Sequence, residues 1–142
     1  MDDTKILPEE DVCFLLNALK KQAEVDGHFD VSEKRFIDQI TQIYCLYYPN
    51  LDSETLQNRA LSDEEYAQVL EKLKQNSRMS KLFLKELISL GYADGNYSES
   101  ERNHVREIGA KINISEESIQ LLENAVDSVI KASVLMNNAL FS

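Results

Sequence analysis

Glycine and proline are scarce, four and two in 142 residues. An all-β chain needs frequent turns, so this is poor material for one. Long apolar runs are missing too. The longest wholly apolar stretch is Ile43–Tyr48, six residues of which three are tyrosine. A membrane-spanning helix needs ~20. Positive charge is in the minority: 15 lysines and arginines stand against 25 acidic residues, for a net charge of -10. Such a chain repels phosphate backbones and anionic membranes, which argues against nucleic acid as a partner. Cysteine is limited to Cys13 and Cys45, each inside an apolar helical pattern. They read as two reduced thiols of a cytosolic protein, not as a disulfide framework. Met1-Asp2-Asp3-Thr4 opens the sequence with no basic region and no apolar segment of signal-peptide length, so the expected location is cytoplasmic. The chain is 43% hydrophobic and 28% charged, which fits a folded domain. Its length allows a core without metal or disulfides.

The apolar residues recur at helical spacing. Pro8-Glu9-Glu10-Asp11 reads as a helix start, because proline suits the first turn and carboxylates there oppose the positive end of the helix dipole. Val12, Leu15, Leu16, Leu19 and Ala23 then share one face. Gly27 ends that helix. Asp30 caps the next, with Phe36, Ile37, Ile40, Ile43, Tyr44 and Tyr47 on its inner side, and Pro49 stops it. Asp52-Ser53-Glu54 starts a short third helix. Ser62 and Glu65 form a capping box that opens a fourth, to about Gln75. A fifth runs from about Ser77 to Ala93. Ser98 and Glu101 form a second capping box and open a sixth. Ser115 caps a seventh, with Ile119, Leu122, Val126, Val129, Ile130 and Ser133 along one face. No stretch alternates as a strand does. The expected fold is all-α, about seven helices in one domain over 8–136.

A shift of 68 residues superposes the sequence on itself. Leu15-Leu16 meets Phe83-Leu84, Leu19 meets Leu87, and Ala23 meets Gly91. Asp26-Gly27 meets Asp94-Gly95, Phe29 meets Tyr97, and Glu33 meets Glu101. Apolar matches alone arise easily between helices, but an acid-glycine-aromatic-acid core in one register does not. The repeat predicts two similar helix-loop-helix units, about 8–48 and 77–112, separated by an insertion over 50–76. Each feature of the core has a local use. The glycine takes the left-handed conformation that ends a helix, the aromatic closes the hairpin, and the glutamate caps the following helix. The same residues have a second use. Asp26, Glu33, Asp94 and Glu101 brought together would repel, and a divalent cation is the usual remedy. Hard oxygen ligands favour magnesium, calcium or manganese. The spacing also imitates the second half of an EF-hand loop, but Leu90 and Tyr92 stand where carboxylates would be needed, which excludes that site.

The doubled pattern, Ala23-Glu24-Val25-Asp26-Gly27-His28-Phe29 through Glu33 and Gly91-Tyr92-Ala93-Asp94-Gly95-Asn96-Tyr97 through Glu101, resembles the TerB family, tellurite-resistance-associated proteins of bacteria. The resemblance spans about residues 8–130. The second copy, with the trailing Lys111-Ile112-Asn113-Ile114-Ser115, is the more specific. The first has Val25 where the family usually places alanine. The resemblance implies an all-α fold of about seven helices in two similar halves and a cytoplasmic role in stress or metal resistance. It also implies a metal site at the acidic motif residues and no defining enzymatic activity.

Other constellations are weaker. Glu101-Arg102-Asn103-His104 is half of a di-iron step, but the first unit has Phe36 at the histidine position, so His104 reads as a polar residue on a helix flank. His28 reads as a solvated turn residue, and Tyr44, Tyr47 and Tyr48 as core. No serine or cysteine has a context for nucleophilic catalysis and no phosphate loop occurs, so no enzyme is expected. Val134, Leu135, Met136, Leu140 and Phe141 read as the packed end of the last helix, with a contact to another chain as the alternative. Residues 1–75 carry 8 basic and 16 acidic groups against 7 and 9 in the rest, so the first half presents the more acidic surface. The expected function is a non-enzymatic module of a tellurite or metal-stress response with a protein partner. The alternative is a helical interaction module whose acidic caps are purely structural.

Overall fold

Seven helices follow one another in a computed structural model that describes residues 8–142 except 26, 28, 29, 50 and 94. They are α1 (Glu9–Glu24), α2 (Val31–Cys45), α3 (Ser53–Asn58), α4 (Asp63–Lys74), α5 (Ser77–Gly91), α6 (Glu99–Lys111) and α7 (Glu116–Phe141). No strand occurs among the described residues, as the sequence predicts. Helix starts follow local chemistry. Complete capping boxes stand at Asp30/Glu33, Ser62/Glu65 and Ser98/Glu101. Side chains of Asp52, Asn76 and Ser115 accept a first-turn N–H in the remaining cases after α1. Each such cap is worth about 1 kcal/mol.

Helices α1 and α5 form the central pair, and each touches most of the others. Their facing stripes are Leu15, Leu16, Leu19 and Phe83, Leu84, Leu87, all buried. Burying each such side chain contributes about 1.5–3 kcal/mol. Helices α3 and α4, the predicted insertion, pack on α1 and add Leu56, Val69 and Leu73 to the same core. Phe14 joins these layers, its ring 5.4 Å from that of Tyr66 and 6.2 Å from that of Phe83. The Cys13 thiol is buried and directed at the Leu56 carbonyl, while Cys45 is half-buried, and both are free.

Periodicity misplaces the outer ends of two helices. Ile43 and Tyr47 on the inner stripe of α2 are exposed, and so is Val129 on α7. Tyr44 and Tyr48 are half-buried. In α7 only Ile119, Glu123 and Val126 are buried, and every residue from 131 to 142 is exposed. The apolar tail is therefore not packed on the domain. Its stripe is apolar, but no other described helix extends far enough to cover it. No described helix is long and apolar enough to cross a membrane.

Candidate functional site

The turns after α1 and α5 are built alike. Gly27 has φ 82° and Gly95 has φ 85°. Gly27 N–H donates to the Glu24 carbonyl at 3.1 Å and Gly95 N–H to the Tyr92 carbonyl at 3.0 Å. A Cβ at either glycine would meet nothing within 4 Å, so the backbone conformation, not space, selects glycine there. A second glycine requirement is different in kind. Gly91 lies under the Tyr97 ring, and a Cβ there would sit 2.4 Å from Cδ1. Tyr97 thus closes the second turn onto the end of α5. The corresponding Phe29, like His28, lies outside the described residues.

The two motif glutamates occupy matching places. Glu33 Oε1 accepts the Asp30 N–H at 3.3 Å, and Glu101 Oε1 accepts the Ser98 N–H at 2.8 Å. Their relative exposures are 1% and 0%, which is unusual for carboxylates. A helix N-terminus lowers the cost of that burial, since its dipole and first-turn N–H groups favour negative charge. Asp26 and Asp94, the other half of the predicted ligand set, lie outside the described residues. Among the described residues, no group of three or more histidine, cysteine, aspartate or glutamate side chains is placed to hold a metal ion. The donor chemistry of Glu33 and Glu101 nonetheless suits a hard cation. Carboxylate oxygens are the donors that such a cation takes.

Gln22 connects the two units. It is buried in the last turn of α1, and its Nε2 donates to the Glu101 carbonyl at 3.3 Å. Its Oε1 faces Nδ1 of His104 on α6. That amide oxygen can only accept, so Nδ1 carries the proton and Nε2 is the bare acceptor of the ring. His104 is 3% exposed, not a flank residue as its sequence context predicts. Burial foremost, then the charges of Lys21 and Lys111, hold its pKa below the ordinary value against the opposing pull of Glu107.

A polar cluster that the sequence reading misses joins α6 to α7. Glu123 is buried and accepts a hydrogen bond from the Tyr97 hydroxyl at 2.7 Å. It takes a two-pronged contact from Arg106, at 3.0 and 2.9 Å, and a longer one from Arg102 at 3.4 Å. Arg102 also lies 4.4 Å from the centre of the Tyr97 ring. Burial pushes the Glu123 carboxyl up. The hydrogen bonds of Arg106 and Tyr97 and the charges of Arg106 and Arg102 together outweigh burial and hold it below the usual carboxylate value. Burial, then Glu123, push the Tyr97 hydroxyl up, so it stays a donor. With every prong satisfied, the cluster fixes Tyr97 over Gly91 and has the chemistry of a structural brace.

The family model for Tellurite resistance protein TerB matches residues 50–124. That span runs from α3 into α7 and takes in Asp94 and Glu101, the more specific copy of the motif. It does not reach Asp26 or Glu33. No curated protein and no solved structure matches the chain.

Proposed function

Because the chain belongs to the TerB family, we propose that it serves as a non-enzymatic helical module of a tellurite or metal-stress response. In this reading Asp26, Glu33, Asp94 and Glu101 hold one divalent cation, magnesium, calcium or manganese. The observation that carries it is the hydrogen bond from Gln22 to the Glu101 carbonyl. Gln22 stands four residues before Asp26, and Glu101 seven after Asp94. The bond therefore supports the approach of the two loops that a shared site requires. A bound cation would neutralise the repulsion among the carboxylates, and binding to the folded state alone would raise its melting temperature with occupancy.

The test is a melting series with calcium, magnesium or manganese, on the wild type and on Asp94→Asn. A rise that saturates with one of the ions and is lost in Asp94→Asn supports the site. A flat response in the wild type ends it. The second reading, an interaction module whose acidic residues only cap, draws on the two complete capping boxes at Glu33 and Glu101. The flat response would favour that reading. The exposed apolar residues at the end of α7 support a protein partner in either case.

A further inference from the structure

A cavity of about 400 Å³ opens between α1, α6 and the segment that carries α3 and the start of α4. That volume is in the range of small-molecule sites, roughly 300–1,000 Å³. Its charge is at odds with the rest of the chain. Three lysines line it, Lys20 and Lys21 from α1 and Lys111 from α6, and no carboxylate does. The chain as a whole carries 25 acidic residues against 15 basic ones. None of the three lysines forms an ion pair with a described carboxylate. Lys20 Nζ bonds Asn58 at 2.9 Å, and Lys111 Nζ stands 3.5 Å from the Tyr66 hydroxyl. In a protein this acidic, three unneutralised cations on one cavity form a local positive focus.

The inner wall is apolar, with Phe14, Tyr66 and Ile108. His104 lines the cavity as well, one turn before Ile108 and two before Lys111 on the same face of α6. Its Nδ1 is occupied by Gln22, and its Nε2 is buried with no hydrogen-bond partner. A buried acceptor without a donor costs about 1–3 kcal/mol. Lys21 and Lys111 act on His104 electrostatically, and Glu107 acts on it with the opposite sign, but only the two lysines line the cavity.

We propose that the cavity binds a small organic anion, a compact apolar body bearing one carboxylate or phosphate group. The body lies against Phe14, Tyr66 and Ile108, and the anionic group is held by Lys20, Lys21 and Lys111. This site uses none of the Asp-Gly motif residues and stands independently of the cation reading.

The experiment is a titration of the full chain followed by amide and imidazole nitrogen NMR. The probes are 1-naphthyl phosphate, 1-naphthoate, neutral 1-naphthol and inorganic phosphate. At least one of the two aromatic anions should give saturable shifts at residues 17–21 and 104–111 and at the His104 ring nitrogens. The tighter of the two identifies the preferred anionic group. Naphthol and inorganic phosphate should each bind about tenfold more weakly or worse. The double variant Lys21→Glu/Lys111→Glu, altered only at exposed side chains, should keep its helical circular dichroism and lose about tenfold or more in affinity. Several results overturn the proposal: no saturable shift with either anion, naphthol or inorganic phosphate binding as well as the aromatic anions, shifts confined to 129–141, or affinity unchanged by the charge reversal.

Discussion

Replacing Glu123 by glutamine tests the brace between α6 and α7. Glutamine keeps the shape and one acceptor oxygen, but its NH2 group now confronts donors of Arg102 or Arg106. Removing one partner from a buried ionic cluster costs about 3–5 kcal/mol. The arginine side chains are 38% and 28% exposed, so water recovers part of their solvation. The lower end, about 3 kcal/mol, is the expected loss. For a chain of this size that is a fall in melting temperature of about 10 °C. Thermal and urea unfolding at about pH 7, followed by circular dichroism, measure it. Glu116→Gln serves as the control. Glu116 pairs with Arg106 at 2.8 Å but is 56% exposed, and its loss should cost less than about 1 kcal/mol. The folded Glu123 pKa lies below the ordinary 4.5. Its contribution is therefore present above 4.5 and is lost as pH falls through the folded value. The gap between wild type and Glu123→Gln should narrow on acidification. A gap under about 1 kcal/mol at neutral pH, or one that does not narrow in acid, would refute the reasoning.

Two further substitutions probe the same region by other routes. Gly91→Ala places a Cβ 2.4 Å from a Tyr97 ring that Glu123 and Arg102 hold in place. Chemical denaturation should show a loss at or above the usual ~1–3 kcal/mol of overpacking, and a neutral result would mean that the ring moves freely. His104 has a folded pKa below the ordinary 6.5, so the unfolded chain takes up its proton first. Wild-type stability should fall relative to His104→Gln as pH drops through 6.5, by at most about 1.4 kcal/mol per pH unit. A difference that is flat between about pH 7.5 and pH 5.5 would contradict a buried neutral imidazole.

The helix starts were legible in the sequence because a cap is a local object. Asp30, Ser62, Ser98 and Ser115 each need only their own next three residues, and all four cap as their spacing predicts. The central stripes were legible because period 3.6 selects one face. Whether anything covers that face is not a local matter, which is why Ile43, Tyr47 and Val129 were misplaced. The candidate site was half legible. The motif marks Glu33 and Glu101, and both are buried at matching helix starts. His104 was misread as a flank residue, and Gln22 and Glu123 were missed although each left a trace. Gln22 lies beside Ala23 on the Leu15–Leu19 stripe, and Glu123 interrupts Ile119, Leu122 and Val126. A polar side chain on an apolar stripe signals a buried partner, but the partners are 79, 82 and 26 residues away, and nothing local names them.

Helix α7 is one continuous element held by two unequal means. Around Ile119, Glu123 and Val126 its backbone is shielded by side chains of α5 and α6, so an amide there exchanges with solvent only when the core opens. From residue 131 onward every residue is exposed, and beyond the Lys131–Asp127 ion pair the helix rests on its own hydrogen-bonded ladder. The packed part has already met the cost of nucleation, so residues 131–141 extend the helix one hydrogen bond at a time with no burial added. Amide protection along α7 should therefore fall at a boundary near Ile130, the stretch beyond it being the less stable part of the helix. A second surface laid along Val134, Leu135 and Phe141 would pull that boundary toward the C-terminus, and the lengthening of the protected stretch would report the contact residue by residue.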